Sequence, residues 1–284
     1  MIFEGKKIGI IGLGKSGYWA SKLAKSIDCN VFASDSNSNL DLSIVDDLKN
    51  IGVEVETGEH SNRLLDSDII IKSPGISNDV EILKKLEQSN TQIVSEIEFA
   101  GMISNVNNIC ITGTNGKTTT VSLITKILSE ELNVLKSGNI GIPFSQIVFE
   151  HKLYEDNDID YCILELSSFQ LEHCSHLKKE VSAFINISTD HMDRYDNFDD
   201  YFNTKLKVFE NSKYCFFNND DKILRERIIK NKSNKESFST KKDIWNFFFK
   251  ENKILTNDLS LSLNVDEISI KGIHNISNII LAAE

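Results

Sequence analysis

Residues 108–132 read NICITGTNGKTTTVSLITKILSEEL, and this stretch decides the fold. An apolar strand, NICIT, enters the loop Gly113-Thr114-Asn115-Gly116-Lys117-Thr118-Thr119. A helix follows, with Val121, Ile124, Leu128 and Leu132 on one face. Strand, glycine loop and helix in that order make a phosphate cradle. Gly113 and Gly116 let backbone N–H groups converge at the helix N-terminus, where the dipole favours an anion. Lys117 brings a point charge to β- and γ-phosphates, and Thr118 offers a hydroxyl to Mg²⁺. The spacing departs from GxxxxGK[ST], whose first glycine would fall at Ile111. A lysine at the positive end of a helix dipole is unfavourable on structural grounds alone, so its presence there points to a ligand.

The same phrase occurs once before. The strand Lys7-IGII leads to Gly12-Leu13-Gly14-Lys15-Ser16-Gly17, a GxGxxG turn, and then to a helix with Trp19, Leu23 and Ile27 at i, i+4 and i+8. The next strand, NVFAS, ends at Asp35, where a dinucleotide fold places its ribose-binding acid. By itself this unit fits a Rossmann-like βαβ unit without a nucleotide, or an NAD-dependent oxidoreductase. Strands alternating with helices predict α/β architecture with parallel sheets. The expected organisation is an N-terminal Rossmann-like parallel-sheet domain, residues 1–94. A P-loop-type ATP-binding α/β domain with a small antiparallel β portion follows, residues 95–284. The antiparallel portion is read from the alternating segment around Trp245, Phe247, Phe248 and Phe249, which ends in NKILTNDLSLSL.

A chain of 284 residues is long enough for two domains with separate cores. No apolar run approaches the roughly 20 residues that span a bilayer. The start, MIFEGKKIGIIGLG, enters a strand pattern without a sustained apolar segment or small-residue cleavage site, so a cytoplasmic protein with no membrane partner is expected. A net charge of -11 argues against broad nucleic-acid binding. Five scattered cysteines with no CxxC fit reduced thiols. The polar run 230–243 reads as an exposed loop.

Two further strand ends carry candidate chemistry. YCILEL, from Tyr161, presents Glu165 at its carboxyl end, placed for Mg²⁺ or an ATP-bound water. The stretch Ser182-AFINISTDHMDRY reads as an apolar strand, AFINI, and a polar loop with Asp190, His191, Asp193 and Arg194 suited to an ion or phosphate. His173-Cys174-Ser175-His176 is dense in metal-binding types, but three such ligands on one helical turn do not converge tetrahedrally, so zinc is not expected.

These pieces, in this order, resemble the Mur ligase superfamily. TGTNGKTTT is shared across that superfamily and with folylpolyglutamate synthases, which would not begin with a GxGxxG domain. ELSSFQLE, DHMDRY, SPGI (73–76), GNIG (138–141) and the GLGKSG start are similar to the D-glutamate-adding ligases. Gly272-Ile-His274-Asn275-Ile-Ser-Asn278 is similar to the family's GxHNxxN segment.

The resemblance implies that the first domain holds UDP-N-acetylmuramoyl-L-alanine rather than NAD. Gly14, Lys15 and Ser16 would lie at the diphosphate, Asp35 and Ser36 near the uracil, and Ser73 and Gly75 by the sugar-phosphate. Gly113 to Thr119 would hold the ATP phosphates, with Gly113, Thr114, Asn115, Gly116, Lys117, Thr118 and Thr119 as the contacts. Asn275 and Asn278 would reach the adenine. Thr118 and Glu165 would serve one Mg²⁺, and His191 a second. Asn139, Ser167 and Gln170 would face the muramoyl-alanine. Lys205, in NTKLKVFE, aligns with the lysine that the family carries as a carbamate, an anion able to ligate Mg²⁺.

The implied reaction is ATP-dependent ligation of D-glutamate through an acyl phosphate in peptidoglycan synthesis, by a monomer. Lys117, Glu165, His191 and Lys205 would be its catalytic residues. The family's third domain, which supplies much of the D-glutamate pocket, has no counterpart before the chain stops at ILAAE. The expectation is therefore substrate binding without useful ligation, and a nucleotide-sugar-binding module without catalysis stands as the alternative.

Overall fold

The computed structural model describes residues 3–139, 141–230, 236–239, 247–250, 253–256, 262–264 and 273–283. Residues 1–105, 141–157 and 169–177 form one compact unit, and residues 106–140, 158–168 and 178–284 a second.

The first unit is built on β1 (Lys7–Ile11), β2 (Asn30–Asp35), β3 (Glu54–Thr57), β4 (Ile69–Lys72) and β5 (Gln92–Ser95). They form one parallel sheet in the order β3-β2-β1-β4-β5. Helices α1 (Lys15–Ser26), α2 (Leu42–Asn50) and α3 (Glu81–Gln88) join β1 to β2, β2 to β3 and β4 to β5, and α4 (Glu96–Ile103) follows β5. β4 reads IIIK without alternation because it is buried throughout, as expected of a strand covered on both faces. The strand order reverses at β1. The GLGKSG turn after β1 and the SPGI loop after β4 therefore flank the crevice where α/β sheets bind ligands.

The second unit centres on β6 (Asn107–Thr112), from which the chain continues through α5 (Lys117–Leu128), β7 (Val134–Gly138), β8 (Tyr161–Glu165), β9 (Lys179–Phe184), α8 (Phe198–Leu206), β10 (Ser212–Asn218), α9 (Lys222–Lys230) and β11 (Glu236–Phe238), with α6 (Phe144–Glu150) between β7 and β8 and α7 (Ser168–Leu171) between β8 and β9 in sequence. Its parallel sheet runs β11-β10-β9-β6-β8-β7. β6 is again the switch strand, so the loop that follows it lies between the carboxyl ends of β8 and β9. Strands β12 (Phe247–Lys250), β13 (Lys253–Thr256) and β14 (Ser262–Asn264) form the expected antiparallel sheet, and α10 (Ile273–Ala283) follows. Trp245 and the side chains of Phe247, Phe248 and Phe249 lie outside the described residues.

Three local expectations are corrected. α5 ends at Leu128 and leaves Leu132 outside it, consistent with Glu130 and Glu131 opposing the negative end of the dipole. The strand expected over AFINI is β9, Lys179–Phe184, and Ile185-Asn186-Ile187 leave it because the Asn186 backbone and side chain bond the loop that follows β6. In the polar run 230–243, Glu236–Phe238 pairs with β10 rather than looping out, and the Ser239 hydroxyl donates to Asp220 Oδ1 at 2.6 Å.

α6 and residues 169–177, which include all of α7 but Ser168, pack with the first unit although their neighbours in sequence build the second sheet. Two buried glutamates of α4 hold them there. Glu96 accepts from Ser145 N–H at the start of α6, and burial pushes its carboxyl up to about 7 against that hydrogen bond. Glu98 accepts from His176 N at 2.6 Å, Leu177 N at 2.8 Å and the His176 ring at 2.9 Å. His176 is thus engaged with Glu98, and Cys174 is 1% exposed, so the His/Cys cluster serves packing. Among the described residues no helix is long and apolar enough to cross a membrane.

Candidate functional site

In the first unit the GxGxxG turn is closed by backbone and by Ser73. Gly12 N–H donates to Ser34 O, and the Ser73 hydroxyl donates to Gly12 O, both at 2.8 Å. No side chain caps the start of α1, so its first N–H groups remain the anion-facing feature of the turn. The Asp35 carboxylate is part of the scaffold. Oδ2 accepts from Leu13 N–H at 2.6 Å and Oδ1 from Asn37 N–H at 2.8 Å, which fixes the turn against the end of β2. Lys15 Nζ donates to Gly141 O, which belongs to the same unit as the turn. Ser36 and Gly75 are exposed at the carboxyl ends of β2 and β4.

The glycines of this turn differ in what they allow. A Cβ on Gly17 would lie 1.8 Å from Gly12 O, whereas nothing lies within 4 Å of one on Gly14. Gly17→Ala is therefore expected to destabilise the chain by about 2 kcal/mol or more through overpacking. Gly14→Ala should leave stability within about 0.5 kcal/mol. Urea unfolding midpoints test this, and equal midpoints for the two variants would contradict the packing role.

In the second unit the expected phosphate loop is gripped from both sides. Asn186 Oδ1 accepts from Thr114 N at 3.1 Å and Asn115 N at 2.9 Å, and Asn186 Nδ2 donates to Asn115 O at 2.8 Å. Gly116 takes φ +79°, a left-handed conformation that glycine adopts without strain, and turns the chain into α5. Lys117 Nζ donates to Gly113 O and Thr114 O, each at 2.9 Å. Burial lowers its proton affinity, opposed by the charges of Glu165 and Asp190. The Thr118 hydroxyl donates to Glu165 Oε2 at 2.8 Å, and Glu165 is 3% exposed. Asn139 reaches Glu165 through Nδ2 to Oε1 at 3.4 Å and through backbone N to O at 2.8 Å.

Lys205 lies beneath this loop. It is 2% exposed, its Nζ donates to Gly113 O at 2.8 Å and stands 5.1 Å from the Tyr201 ring centre. Burial, with the Lys117 charge adding, pulls its amine down to about 7, against the Asp190 carboxylate. Lys205 and Tyr201 are one turn apart on α8, and the Tyr201 hydroxyl lies 3.2 Å from Thr114 Oγ1. His191 has φ +54° on the loop between β9 and α8, and its Nε2 is 3.5 Å from Asp190 Oδ2. α10 packs on α5. Asn278 is buried there, with its Nδ2 3.4 Å from Asn275 Oδ1 and 3.0 Å from where a Cβ on Gly116 would stand.

The structure thus joins Thr118 to Glu165, Glu165 to Asn139, and Lys117 and Lys205 to the same carbonyl of Gly113. Asn139 and Ser167 belong to the second unit and the buried Gln170 to the first. Gly272 and the His274 side chain lie outside the described residues. Asn186 and Tyr201 escaped the sequence reading. An asparagine inside AFINIS and a tyrosine four residues before Lys205 were the available signals. Thr118 and Glu165 are oxygen donors of the kind Mg²⁺ takes. Among the described residues no group of three or more His, Cys, Asp or Glu side chains is placed to hold a metal ion.

The model of the Mur ligase middle domain matches residues 111–284, and that of the MurD N-terminal domain matches residues 7–82. The chain is 36% identical over 291 residues to UDP-N-acetylmuramoylalanine--D-glutamate ligase of Bacteroides fragilis, covering 98% of this chain and 63% of that protein. It is 34% identical over 286 residues to the enzyme of the same name from Staphylococcus carnosus, covering 98% and 62%. The chain thus spans 63% of the length of the first of these curated relatives and 62% of the second. Among solved structures, UDP-N-acetylmuramate:L-alanyl-gamma-D-glutamyl-meso-diaminopimelate ligase from Neisseria meningitides is similar with a TM-score of 0.60 at 14% identity, over 98% of this chain and 93% of that one. At that identity the likeness concerns the fold.

Proposed function

The chain belongs to the Mur ligase family, and from that premise we propose that it carries the nucleotide-sugar and ATP sites of a D-glutamate-adding ligase of peptidoglycan synthesis. Residues 1–94 bind UDP-N-acetylmuramoyl-L-alanine, and residues 95–284 bind ATP. The observation that carries this reading is the pairing of Thr118 with Glu165 at the end of a loop on which Lys117 and Lys205 converge.

In the proposed reaction the L-alanine carboxylate of the nucleotide sugar takes the γ-phosphoryl group of ATP and becomes an acyl phosphate. The amine of D-glutamate attacks that carbonyl, and phosphate leaves as the amide forms. Such transfer depends on positioning and charge more than on covalent help. Lys117 offsets phosphate charge from the start of α5, and the 113–116 backbone orients the phosphates. Mg²⁺, when bound, neutralises charge that builds up on the phosphate oxygens. Thr118 and Glu165 would hold one ion, and His191 with Lys205 the other. A buried amine with a depressed pKa is the form that reacts with CO₂, which supports a carbamate at Lys205. Asn278, beside Gly116, and Asn275, which it contacts, would meet the adenine.

Titration calorimetry with UDP-N-acetylmuramoyl-L-alanine, with NADH in parallel, tests the first-unit assignment. Saturable binding of the nucleotide sugar alone is expected. Binding of NADH alone would replace the ligase reading with an oxidoreductase one.

A further inference from the structure

At the carboxyl ends of β2 and β3 lies a polar cluster that the roles above leave unused. Ser34 is 0% exposed. Its hydroxyl oxygen stands 2.8 Å from His60 Nδ1, 2.9 Å from Glu59 O and 3.2 Å from Glu56 Oε2. A hydroxyl has one proton to donate, and a carbonyl or ionised carboxylate can only accept. Glu56 is held ionised. Burial works to raise its carboxyl, but hydrogen bonds from Ser61 and Ser34 and the Arg63 charge bring it below the ordinary range. The Ser34 proton therefore goes to Glu56 or to Glu59 O, and His60 Nδ1–H donates to Ser34.

That assignment fixes the neutral tautomer in which Nε2 is an acceptor. Burial lowers the proton affinity of the ring, against the charges of Asp35 and Glu56, in keeping with a neutral imidazole. His60 is half-buried, and Nε2 has no hydrogen-bond partner among the described residues. The trio is not a hydrolytic one. Serine rather than histidine sits at its centre, and the hydroxyl is sealed from solvent. Its position is informative: Gly58 N–H donates to Asp35 O at 2.8 Å, which ties the loop carrying His60 to the strand end expected at the base of the nucleotide.

We propose that His60 reads the pyrimidine of the nucleotide sugar, with Nε2 accepting the N3–H of uracil. The inference rests on the reading of the first unit as the nucleotide-sugar site. Uracil offers an N–H at position 3, whereas cytosine offers a lone pair there. An acceptor held by Ser34 thus favours uridine over cytidine, because a site built to pair one polar group leaves it unpaired with the wrong ligand. Each Asp35 oxygen already accepts one backbone N–H, from Leu13 and Asn37, whereas the lone pair of His60 Nε2 has no partner among the described residues.

The test is calorimetric titration of the chain and of His60→Phe with UDP and with CDP, alongside ¹⁵N-histidine NMR of the unsubstituted chain. The chain is expected to prefer UDP by about tenfold or more, and His60→Phe to bring the two nucleotides within about threefold, mainly by weakening UDP. In the labelled chain, the His60 Nε2 resonance should move on adding UDP and stay unchanged with pyrophosphate. The NMR arm remains decisive if His60→Phe fails to fold. If UDP binds but the UDP/CDP ratio survives the substitution, or Nε2 does not respond to UDP, the role of His60 is refuted while the nucleotide-sugar reading stands. If the unsubstituted chain binds neither nucleotide, both fall.

Discussion

Replacing Lys117 with alanine is expected to weaken binding of ATP with Mg²⁺ by about a hundredfold or more, because a partly desolvated charge pair is worth several kcal/mol when one member is removed. The lysine is already oriented. Two loop carbonyls hold its Nζ, and the 113–116 backbone around it is gripped by Asn186. Little ordering is left to be done when a phosphate arrives. Lys117→Arg should not restore affinity, since a planar fork does not fit a position shaped for a compact ammonium. The fold should persist in both variants, because Gly113 O keeps the Lys205 donor. Calorimetry with ATP and Mg²⁺ measures the effect. Unchanged affinity in Lys117→Ala would remove the phosphate-binding role.

The second large effect is expected at Lys205, as a change in how stability depends on pH. Its folded pKa of about 7 lies below the roughly 10.4 of a free lysine. Below pH 7 the buried amine is charged, and the folded chain carries the full cost of desolvating it. Between pH 7 and about 10.4 the unfolded chain binds more protons than the folded one, so stability rises with pH until the cost disappears. Lys205→Met removes the charge, keeps the bulk and gives up one hydrogen bond to Gly113 O. In CO₂-free buffer at pH 7 the variant should be more stable by on the order of 3 kcal/mol, and the advantage should vanish towards pH 10.5. Urea titrations across that range read the difference, in which groups common to both chains cancel. Parallel curves would show that the amine is not depressed. With ¹³C-bicarbonate present, a carbamate carbon resonance should appear in the unsubstituted chain and be missing from Lys205→Met.

Much of the fold and part of the site were readable from short stretches of sequence. Each of the two glycine-turn phrases is a strand, a turn and a helix joined end to end, and all three signals fall within about two dozen residues. Glu165 could be placed because a carboxylate after an apolar strand lands at the carboxyl edge of a parallel sheet. The grip on the phosphate loop could not be read. Asn186 lies more than seventy residues from the backbone groups it holds, and only the pairing of β9 with β6 brings it there. The depressed amine of Lys205 depends likewise on burial, and nothing in NTKLKVFE announces it.

By itself the sequence determined the two parallel-sheet units, the two glycine turns at their switch strands and the residue types at the strand ends, because propensity, periodicity and turn chemistry act locally along the chain. Tertiary structure alone decided that α6 and the segment ending at Leu177 pack with the first unit through Glu96 and Glu98, that Thr118 meets Glu165, and that His60 is left with one free acceptor. Those outcomes come from burial and hydrogen bonding between residues distant in the chain. Such interactions acquire their strength only after water has been excluded around them.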